Sequence, residues 1–207
     1  MHEELIMVEE DLQHICISSR KDLKEHALIR LILSTLASYE EIENFTRRDL
    51  GVANSIYYVV LRSGGKSRKS PVDERTFYVL KEVTKSSKKK VFDFTKEEID
   101  RIFEKYSPPN RKYDYERVIR SVKLILKDCL FYEDWFMEKF MEGRNIEWIN
   151  NFLKDAHPMF SGMWDLEDDE VALDYFEMIS KRIGSRDATK ISEISNVSED
   201  FVRRFIK

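Results

Sequence analysis

One stretch near the N-terminus constrains the fold most, because a single helix there would be apolar on nearly every side. The run HALIRLILSTLASY begins at His26. Its main face follows the three- and four-residue spacing of a helix and carries Leu28, Leu31, Ile32, Thr35 and Leu36. Ile29 and Leu33 widen this apolar stripe, so other elements must cover the helix on most sides. We therefore predict a core helix for the first part of the chain.

The remainder of the chain is also predicted to be helical. Six Gly and four Pro in 207 residues are too few for the many tight turns of a sandwich or barrel of short strands. Ser38 with Glu41, and Thr95 with Glu98, form capping boxes that are typical of helix N-termini. The predicted fold class is all-α, with a small β wing as the alternative, in two lobes with an N-terminal helix-turn-helix.

The segment after Ser70 has two interpretations. Ser70 followed by Pro71 offers an N-cap with proline at the first helical position, and apolar spacing favours a helix from Pro71 to Thr84. The sequence TFYVL inside it is also typical of a strand, so a β-hairpin wing is the alternative.

Charge divides the chain into two parts. Between Arg47 and Lys90 there are twelve Lys and Arg against four Asp and Glu, a net charge of +8. Between Asp128 and Glu177 there are three against fourteen, a net charge of -11. The first part suits a polyanion and the second would repel one, although charged helix faces are also often simply solvated. We predict a basic helix-turn-helix lobe over residues 1–90 and an acidic, aromatic-rich lobe over 91–207, the latter for dimerisation or contact with a protein partner.

Several function classes lack their sequence signals. Cys16 and Cys129 have no partner cysteine at metal-ligand spacing, and no run of about 18 apolar residues could span a membrane. There is no phosphate loop, nucleophile motif or Gly-rich dinucleotide fingerprint. We therefore expect no metal, no cofactor, no membrane contact and a cytoplasmic location.

The stretch from Ser38 to Lys69 resembles the helix-turn-helix superfamily of DNA-binding proteins. Leu50-Gly51-Val52 would form the turn, with Ser55 and Leu61 in the second helix and Gly64-Gly65 at its end. The resemblance implies base contacts from Ala53, Asn54, Ser55 and Tyr58. It implies phosphate contacts from Arg47, Arg48 and Arg62, and the basic loop KSRKS adds Lys66, Arg68 and Lys69.

A second unit of the same kind is predicted at the C-terminus, in TKISEISNVSEDFVRRFIK. This stretch resembles the helix-turn-helix of small transcription regulators, with Asn196-Val197-Ser198 as turn and cap. The resemblance leaves Arg203 and Arg204 exposed for nucleic acid. A helix pair that closes the second lobe is the alternative.

The same N-terminal residues also resemble the helix-hairpin-helix DNA glycosylases. Gly51-Val52-Ala53-Asn54-Ser55 corresponds to the phosphate-gripping hairpin, and Pro71-Val72-Asp73 to the acidic segment. In that family an aspartate at the position of Asp73 assists base excision. Ser55 stands where lyase members carry a lysine, and Ala53 replaces the second hairpin glycine, which departs from the pattern.

The functional prediction is non-enzymatic binding of double-stranded DNA, most simply in transcriptional regulation. A glycosylase-like repair protein that uses Asp73, and a protein-interaction scaffold, are the alternatives.

Overall fold

The computed structural model describes residues 9–86, 89–129, 133–162, 169–195 and 197–206. The helices in these ranges are α1 (Glu9–Ser18), α2 (Leu23–Thr35), α3 (Tyr39–Glu43), α4 (Glu74–Ser86), α5 (Lys96–Tyr106), α6 (Tyr115–Leu124), α7 (Asp134–Glu142), α8 (Ile146–Ala156), α9 (Asp169–Ile183), α10 (Ala188–Ser195) and α11 (Glu199–Val202). Short 3-10 turns occur at Ser19–Lys21 and Arg47–Asp49, and a π-helical turn at Ile125–Cys129 extends α6. The described part of the chain is therefore mainly α-helical.

A small antiparallel sheet interrupts the helices. Its strands are β1 (Leu50–Ala53), β2 (Ile56–Ser63) and β3 (Lys66–Pro71), in the order β1-β2-β3. Two-residue turns join them, Asn54-Ser55 and Gly64-Gly65, and all four residues have positive φ angles. Two successive left-handed residues are the pattern of the hairpin turns that match strand twist.

The predicted N-terminal helix-turn-helix is wrong, because the strands of this sheet occupy the place of its second helix. Ile56 and Val59 can be read at helical spacing, but Tyr57, Val59 and Leu61 alternate along β2 toward the core. Five successive β-branched or aromatic residues favour the extended backbone. Gly64-Gly65 is thus a hairpin turn and not a helix end, and the basic segment KSRKS is strand β3 and not a loop.

The prediction of a buried core helix is confirmed. Every residue of α2 from Ala27 to Leu33 is essentially inaccessible to solvent, and α2 packs against α4, α6 and β3. A helix after Ser70 is also present, but α4 occupies Glu74–Ser86 and not Pro71–Thr84. The predicted helix start at Ser70-Pro71 is wrong, because both residues belong to β3, and the Asp73 carboxylate accepts from the Thr76 N–H at the start of α4. The capping boxes at Ser38 and Thr95 are both formed.

A second apolar cluster lies toward the C-terminus. It joins Ile17 of α1 to side chains of α9, α10 and the residues around α11. The predicted C-terminal unit contains two helices, α10 and α11, but α11 has only four residues. Of its predicted turn, Asn196 lies outside the described residues, and the Ser198 side chain caps α11 by accepting from the Phe201 N–H. Asp11 of α1, which is fully buried, is contacted by Arg111 at 2.9 Å, by the Tyr113 hydroxyl at 2.7 Å and by Arg182 of α9 at 2.7 Å. These ionic contacts and hydrogen bonds link α9 to α1 and to the segment that holds Arg111 and Tyr113.

Among the described helices, none combines the length and the apolar character that crossing a membrane requires.

Candidate nucleic-acid interface

A cleft of about 640 Å³ opens between the β2–β3 hairpin and the end of α7. Three cationic side chains line it, together with three hydroxyl groups, two carboxylates and two apolar residues. They are Lys66, Arg68, Arg144, Ser38, Ser63, Ser67, Glu41, Glu142, Leu61 and Met141. Lysine, arginine and serine are among the side chains that contact phosphate oxygens in nucleic-acid complexes.

Arg68 forms the floor of the cleft. Its Nε and Nη2 donate to the two carboxylate oxygens of Glu41 at 2.7 and 3.0 Å, and Nη2 also donates to the carbonyl of Thr35 at 2.9 Å. Nη1 has no hydrogen-bond partner among the described residues, although it is buried. Glu41 in turn accepts from the backbone N–H of Ser38 at 2.8 Å. The guanidinium therefore ties β3 to the start of α3 by a paired fork, the geometry that arginine provides and lysine does not.

The tip of the β2–β3 hairpin is fixed to α3 by Glu40. The Ser63 hydroxyl donates to one Glu40 carboxylate oxygen at 2.6 Å, and the Gly64 N–H donates to the other at 2.8 Å. The Gly64 and Ser63 hydrogen bonds hold the pKa of Glu40 below its ordinary value. Because Glu40 holds the tip of the hairpin, Lys66 leaves the hairpin from a fixed position. Lys66 itself is exposed.

The opposite wall of the cleft depends on a glycine. Gly143 ends α7 with a φ of 66°, and a Cβ at this position would lie 2.5 Å from the carbonyl oxygen of Lys69. The α7–α8 turn can therefore approach the β3 backbone only because Gly143 has no side chain. The next residue, Arg144, is 76% exposed and lies 3.4 Å from the carboxylate of Glu142. Gly143 thus sets where Arg144 enters the cleft.

The outer face of the sheet carries a second cationic group. Tyr58 of β2 lies across Gly51 of β1, so closely that a Cβ at Gly51 would overlap its ring. The Lys69 ammonium of β3 lies 5.0 Å from the centroid of the same ring. This is cation–π distance, so Tyr58 orients Lys69 on a surface without covering its charge.

The sequence-predicted binding residues lie at several places. Arg47 and Arg48 are exposed on the 3-10 turn before β1, Asn54 and Ser55 form the exposed β1–β2 turn with Ala53 before it, and Arg62 pairs with the buried Asp49. Lys66 and Arg68 meet in the cleft, whereas Lys69 and Tyr58 share the outer sheet face. Arg203 pairs with Glu199, and Arg204 lies over the rings of Phe201 and Phe205.

Arg144 was not predicted from the sequence. It is one of only three cationic residues in the acidic segment from Asp128 to Glu177, and it follows a helix-ending glycine. A cation in an acidic segment is the one signal that the sequence offers for Arg144. The approach of Arg144 to β3 depends on tertiary structure and cannot be predicted from that signal.

The prediction of Asp73 as a catalytic residue of a glycosylase is not supported by its surroundings. It is buried, and one of its carboxylate oxygens accepts from Arg30 Nη2 at 2.8 Å and from the Thr76 N–H at 2.9 Å. Its other oxygen accepts from the Thr76 hydroxyl at 2.5 Å. Asp73 therefore neutralises a buried arginine and caps α4. Among the described residues, no group of three or more His, Cys, Asp or Glu side chains is placed to hold a metal ion.

In comparison with solved structures, the fold is similar to those of site-specific recombinases. The XerA recombinase has a TM-score of 0.56 at 13% identity, over 81% of this chain and 66% of XerA. The XerH recombinase bound to its difH substrate in a pre-cleavage complex has a TM-score of 0.54 at 14% identity, over 70% and 49% of the two chains. XerH in a post-cleavage complex with a palindromic difH substrate has a TM-score of 0.53 at 15% identity, over 78% and 53%. The chain thus spans between about half and two thirds of these recombinase structures.

One relative defines the family more closely. An uncharacterized protein of Archaeoglobus fulgidus is 38% identical over 208 residues, which cover 99% of this chain and 93% of that protein. The chain belongs to the family of this archaeal protein. No protein-family model matches it.

These comparisons overturn the two resemblances drawn from the sequence. The fold is neither that of a helix-turn-helix or winged-helix regulator nor that of a helix-hairpin-helix glycosylase, and the non-enzymatic transcriptional regulator is therefore not supported. The Gly51 turn on which both depended joins no pair of helices, because it lies inside strand β1.

Proposed function

We propose that this protein binds duplex DNA, with a backbone phosphate in the cleft between the β2–β3 hairpin and the α7–α8 turn. The observation that carries the proposal is the meeting of Lys66, Arg68 and Arg144 at a cleft of a recombinase fold. Two of the similar recombinase structures were solved on their DNA substrates, which supports the same class of ligand here.

The charges of the cleft suit a phosphate group. The charge of Arg68 is largely neutralised by Glu41, so Lys66 and Arg144 supply the exposed positive charge. The hydroxyl groups of Ser38, Ser63 and Ser67 add neutral hydrogen-bonding groups beside them. Each lysine or arginine that neutralises a phosphate releases counterions, so binding should weaken as salt rises.

The other predicted binding residues lie outside the cleft and stay a separate part of the proposal. Arg47 and Arg48 lie on the 3-10 turn before β1, and Asn54 and Ser55 form the β1–β2 turn. Lys69 and Tyr58 share the outer face of the sheet, and Arg62 lies on β2. Arg203 and Arg204 stay a separate prediction at the C-terminus. Apart from the α7–α8 turn that carries Arg144 into the cleft, the acidic, aromatic part of the chain would repel a duplex, and we assign it to protein contact.

The test is fluorescence anisotropy of a labelled duplex over a series of salt concentrations. We expect Lys66→Ala/Arg144→Ala to lower the affinity and to reduce the slope of log K against log salt by roughly 2, about 0.9 for each lost phosphate contact. The matched control is Lys123→Ala/Arg101→Ala, which removes the same two residue types from exposed positions on α6 and α5. Equal loss in both double variants would show a non-specific charge effect and contradict the proposed cleft.

Strand cleavage is measured in the same samples by nicking of supercoiled plasmid, since the XerH structures include pre- and post-cleavage complexes. Binding without nicking would leave DNA binding as the function.

A further inference from the structure

The outer face of the small sheet carries an aromatic ring and two cationic side chains. Alternate residues of a strand share a face, so Tyr58, Val60 and Arg62 of β2 lie together on this one. Val59, which lies between them in sequence, is fully buried on the opposite face. Val60 is the cross-strand partner of Lys69, which places that lysine on the outer face as well. The outer sheet face therefore presents one ring and two cations along the same surface.

The Tyr58 ring rests on the backbone of the neighbouring strand. Gly51 of β1 is the cross-strand partner of Tyr58, and the phenol end of the ring occupies the place that a side chain at Gly51 would need. The ring is half-buried, so part of it is accessible to solvent. A side chain that its surroundings hold in place loses less conformational entropy when a ligand stacks on it. The glycine therefore prepares Tyr58 to serve as a stacking surface.

Lys69 supplies the more available positive charge of this face. It is exposed, its ammonium lies 5.0 Å from the centroid of the Tyr58 ring, and it forms no ion pair with a carboxylate of the described residues. Arg62, in contrast, shares its charge with the buried Asp49. The flexible four-carbon stem of a lysine lets its ammonium move from a ring to a nearby anion. A ligand with a planar group and a negative charge could thus use Tyr58 and Lys69 together.

We propose that the outer sheet face binds an unpaired nucleotide of a nucleic acid, with its base stacked on Tyr58 and its phosphate paired with Lys69. Aromatic rings for the bases, with cations for the backbone, are the usual means of binding single strands. Bases inside a duplex are stacked on one another, so a ring that rests on a sheet can meet only an unstacked base. This site goes beyond the proposed duplex contact, because Lys66 and Arg68 of the cleft alternate with Lys69 along β3 and lie on the opposite face.

The test uses a single strand of about 12 nucleotides with one 2-aminopurine between thymines, whose fluorescence falls when the base stacks on an aromatic ring. Saturating wild-type protein should quench this fluorescence. Tyr58→Leu keeps an apolar side chain over Gly51 but removes the ring, so it should abolish the quenching and lower the affinity roughly 5- to 150-fold, the range for one lost stacked base. Tyr58→Phe keeps the ring and should restore both. A wild-type chain that leaves the fluorescence unchanged, or equal quenching by Tyr58→Leu, would overturn the proposal.

A lysine variant keeps the test valid if Tyr58→Leu does not fold. Lys69→Gln removes an exposed charge, and the slope of log K against log salt for the single strand should become shallower by about 0.7, the value for one phosphate contact. The matched control is Lys123→Gln, which removes an exposed lysine from α6 and should keep the wild-type slope. Equal slopes for Lys69→Gln and Lys123→Gln would contradict the phosphate contact.

Lys66→Ala/Arg144→Ala separates this site from the cleft. At saturating protein this variant should still quench the 2-aminopurine strand, because neither substituted residue lies on the outer sheet face, whereas its affinity for a duplex should fall. Quenching by a wild-type chain that binds no duplex would contradict the proposed cleft and support the stacking site. Loss of quenching in Lys66→Ala/Arg144→Ala would overturn a stacking site separate from the cleft.

Discussion

Arg68 and Glu41 form a paired fork at the floor of the cleft, with donor–acceptor distances of 2.7 and 3.0 Å. Both side chains are more than nine-tenths buried. Removal of one partner from such a pair leaves an uncompensated buried charge, which typically costs about 3–5 kcal/mol.

Glu41→Ala is therefore expected to reduce the free energy of unfolding by several kcal/mol, measured by urea denaturation. Glu98→Ala is the matched control, because Glu98 closes the capping box of α5 without a buried arginine and should cost only about 1 kcal/mol. Glu41→Ala/Arg68→Met should lose less than Glu41→Ala alone. Equal losses in the Glu41 and Glu98 variants would show that capping, and not the ion pair, accounts for the effect.

Glu142→Gln is expected to strengthen DNA binding. The substitution removes an acidic group from the cleft and releases Arg144 from its 3.4 Å contact, so the affinity at low salt should rise roughly fivefold, about 1 kcal/mol. Glu104→Gln, on an exposed site of α5, removes the same charge away from the cleft. An unchanged anisotropy titration for Glu142→Gln would argue that the duplex does not enter the cleft.

Gly143→Ala is expected to destabilise the protein more than Gly184→Ala. Both glycines have left-handed φ angles, 66° and 61°, so each substitution carries a backbone cost of about 1–2 kcal/mol. Only at Gly143 would the new Cβ meet the Lys69 backbone, which adds about 1–3 kcal/mol of overpacking. Thermal and urea unfolding give the difference. Equal losses would contradict the close approach of the α7–α8 turn to β3.

Stability is expected to fall as the pH is lowered from 6.5 toward 4, because of buried neutral histidines. Burial lowers the pKa of His157 to about 4, and burial likewise lowers the pKa of His14 to about 4 and that of His26 to about 3. The unfolded chain binds protons at an ordinary histidine pKa near 6.5, so each group stabilises the fold fully above that pH. For His157 the loss by pH 4 is about 3 kcal/mol.

Urea unfolding between about pH 7.5 and about pH 4.5 measures this slope. His157→Asn keeps an acceptor near Nδ1, which accepts from the Met159 N–H at 3.2 Å, and should show a shallower decline. The same decline in wild type and variant would show that His157 binds protons equally in the folded and unfolded chains, and so would contradict its lowered pKa.

Local signals predicted much of the helical part of this fold. The capping boxes at Ser38 and Thr95, the apolar surface of α2 and the helix after Ser70 each depend on residues within one or two turns of one another. These features could therefore be predicted without knowledge of contacts between residues distant in sequence. The division into two lobes near Lys90 stays a prediction.

The sheet was mispredicted for a physical reason. Ile56, Val59 and Val60 satisfy helical spacing, while Tyr57, Val59 and Leu61 satisfy strand alternation, so periodicity alone did not separate the two. The β-branched and aromatic content of β2, and two turns of residues with positive φ, favour the hairpins. Asn54-Ser55 is a weaker turn signal than Gly64-Gly65; the sequence prediction placed the first pair inside a helix and the second at its end.

The cleft could not have been assembled from the sequence. Glu41 and Arg68 are 27 residues apart, and Arg144 comes from a segment whose average charge is strongly negative. The exposed cations of the hairpin were found because they cluster locally. Their neighbours across the cleft depend on how α7 meets β3.

The residue types at positions 51 and 58 constrain each other, because the Tyr58 ring occupies the volume that a side chain at Gly51 would need. Among relatives, we expect these two positions to change together: a residue with a Cβ at position 51 should accompany a smaller side chain at position 58. A relative that makes this exchange would also lose the aromatic ring beside Lys69. Covariation at these two positions would therefore distinguish members that keep an oriented lysine on the sheet from members that do not.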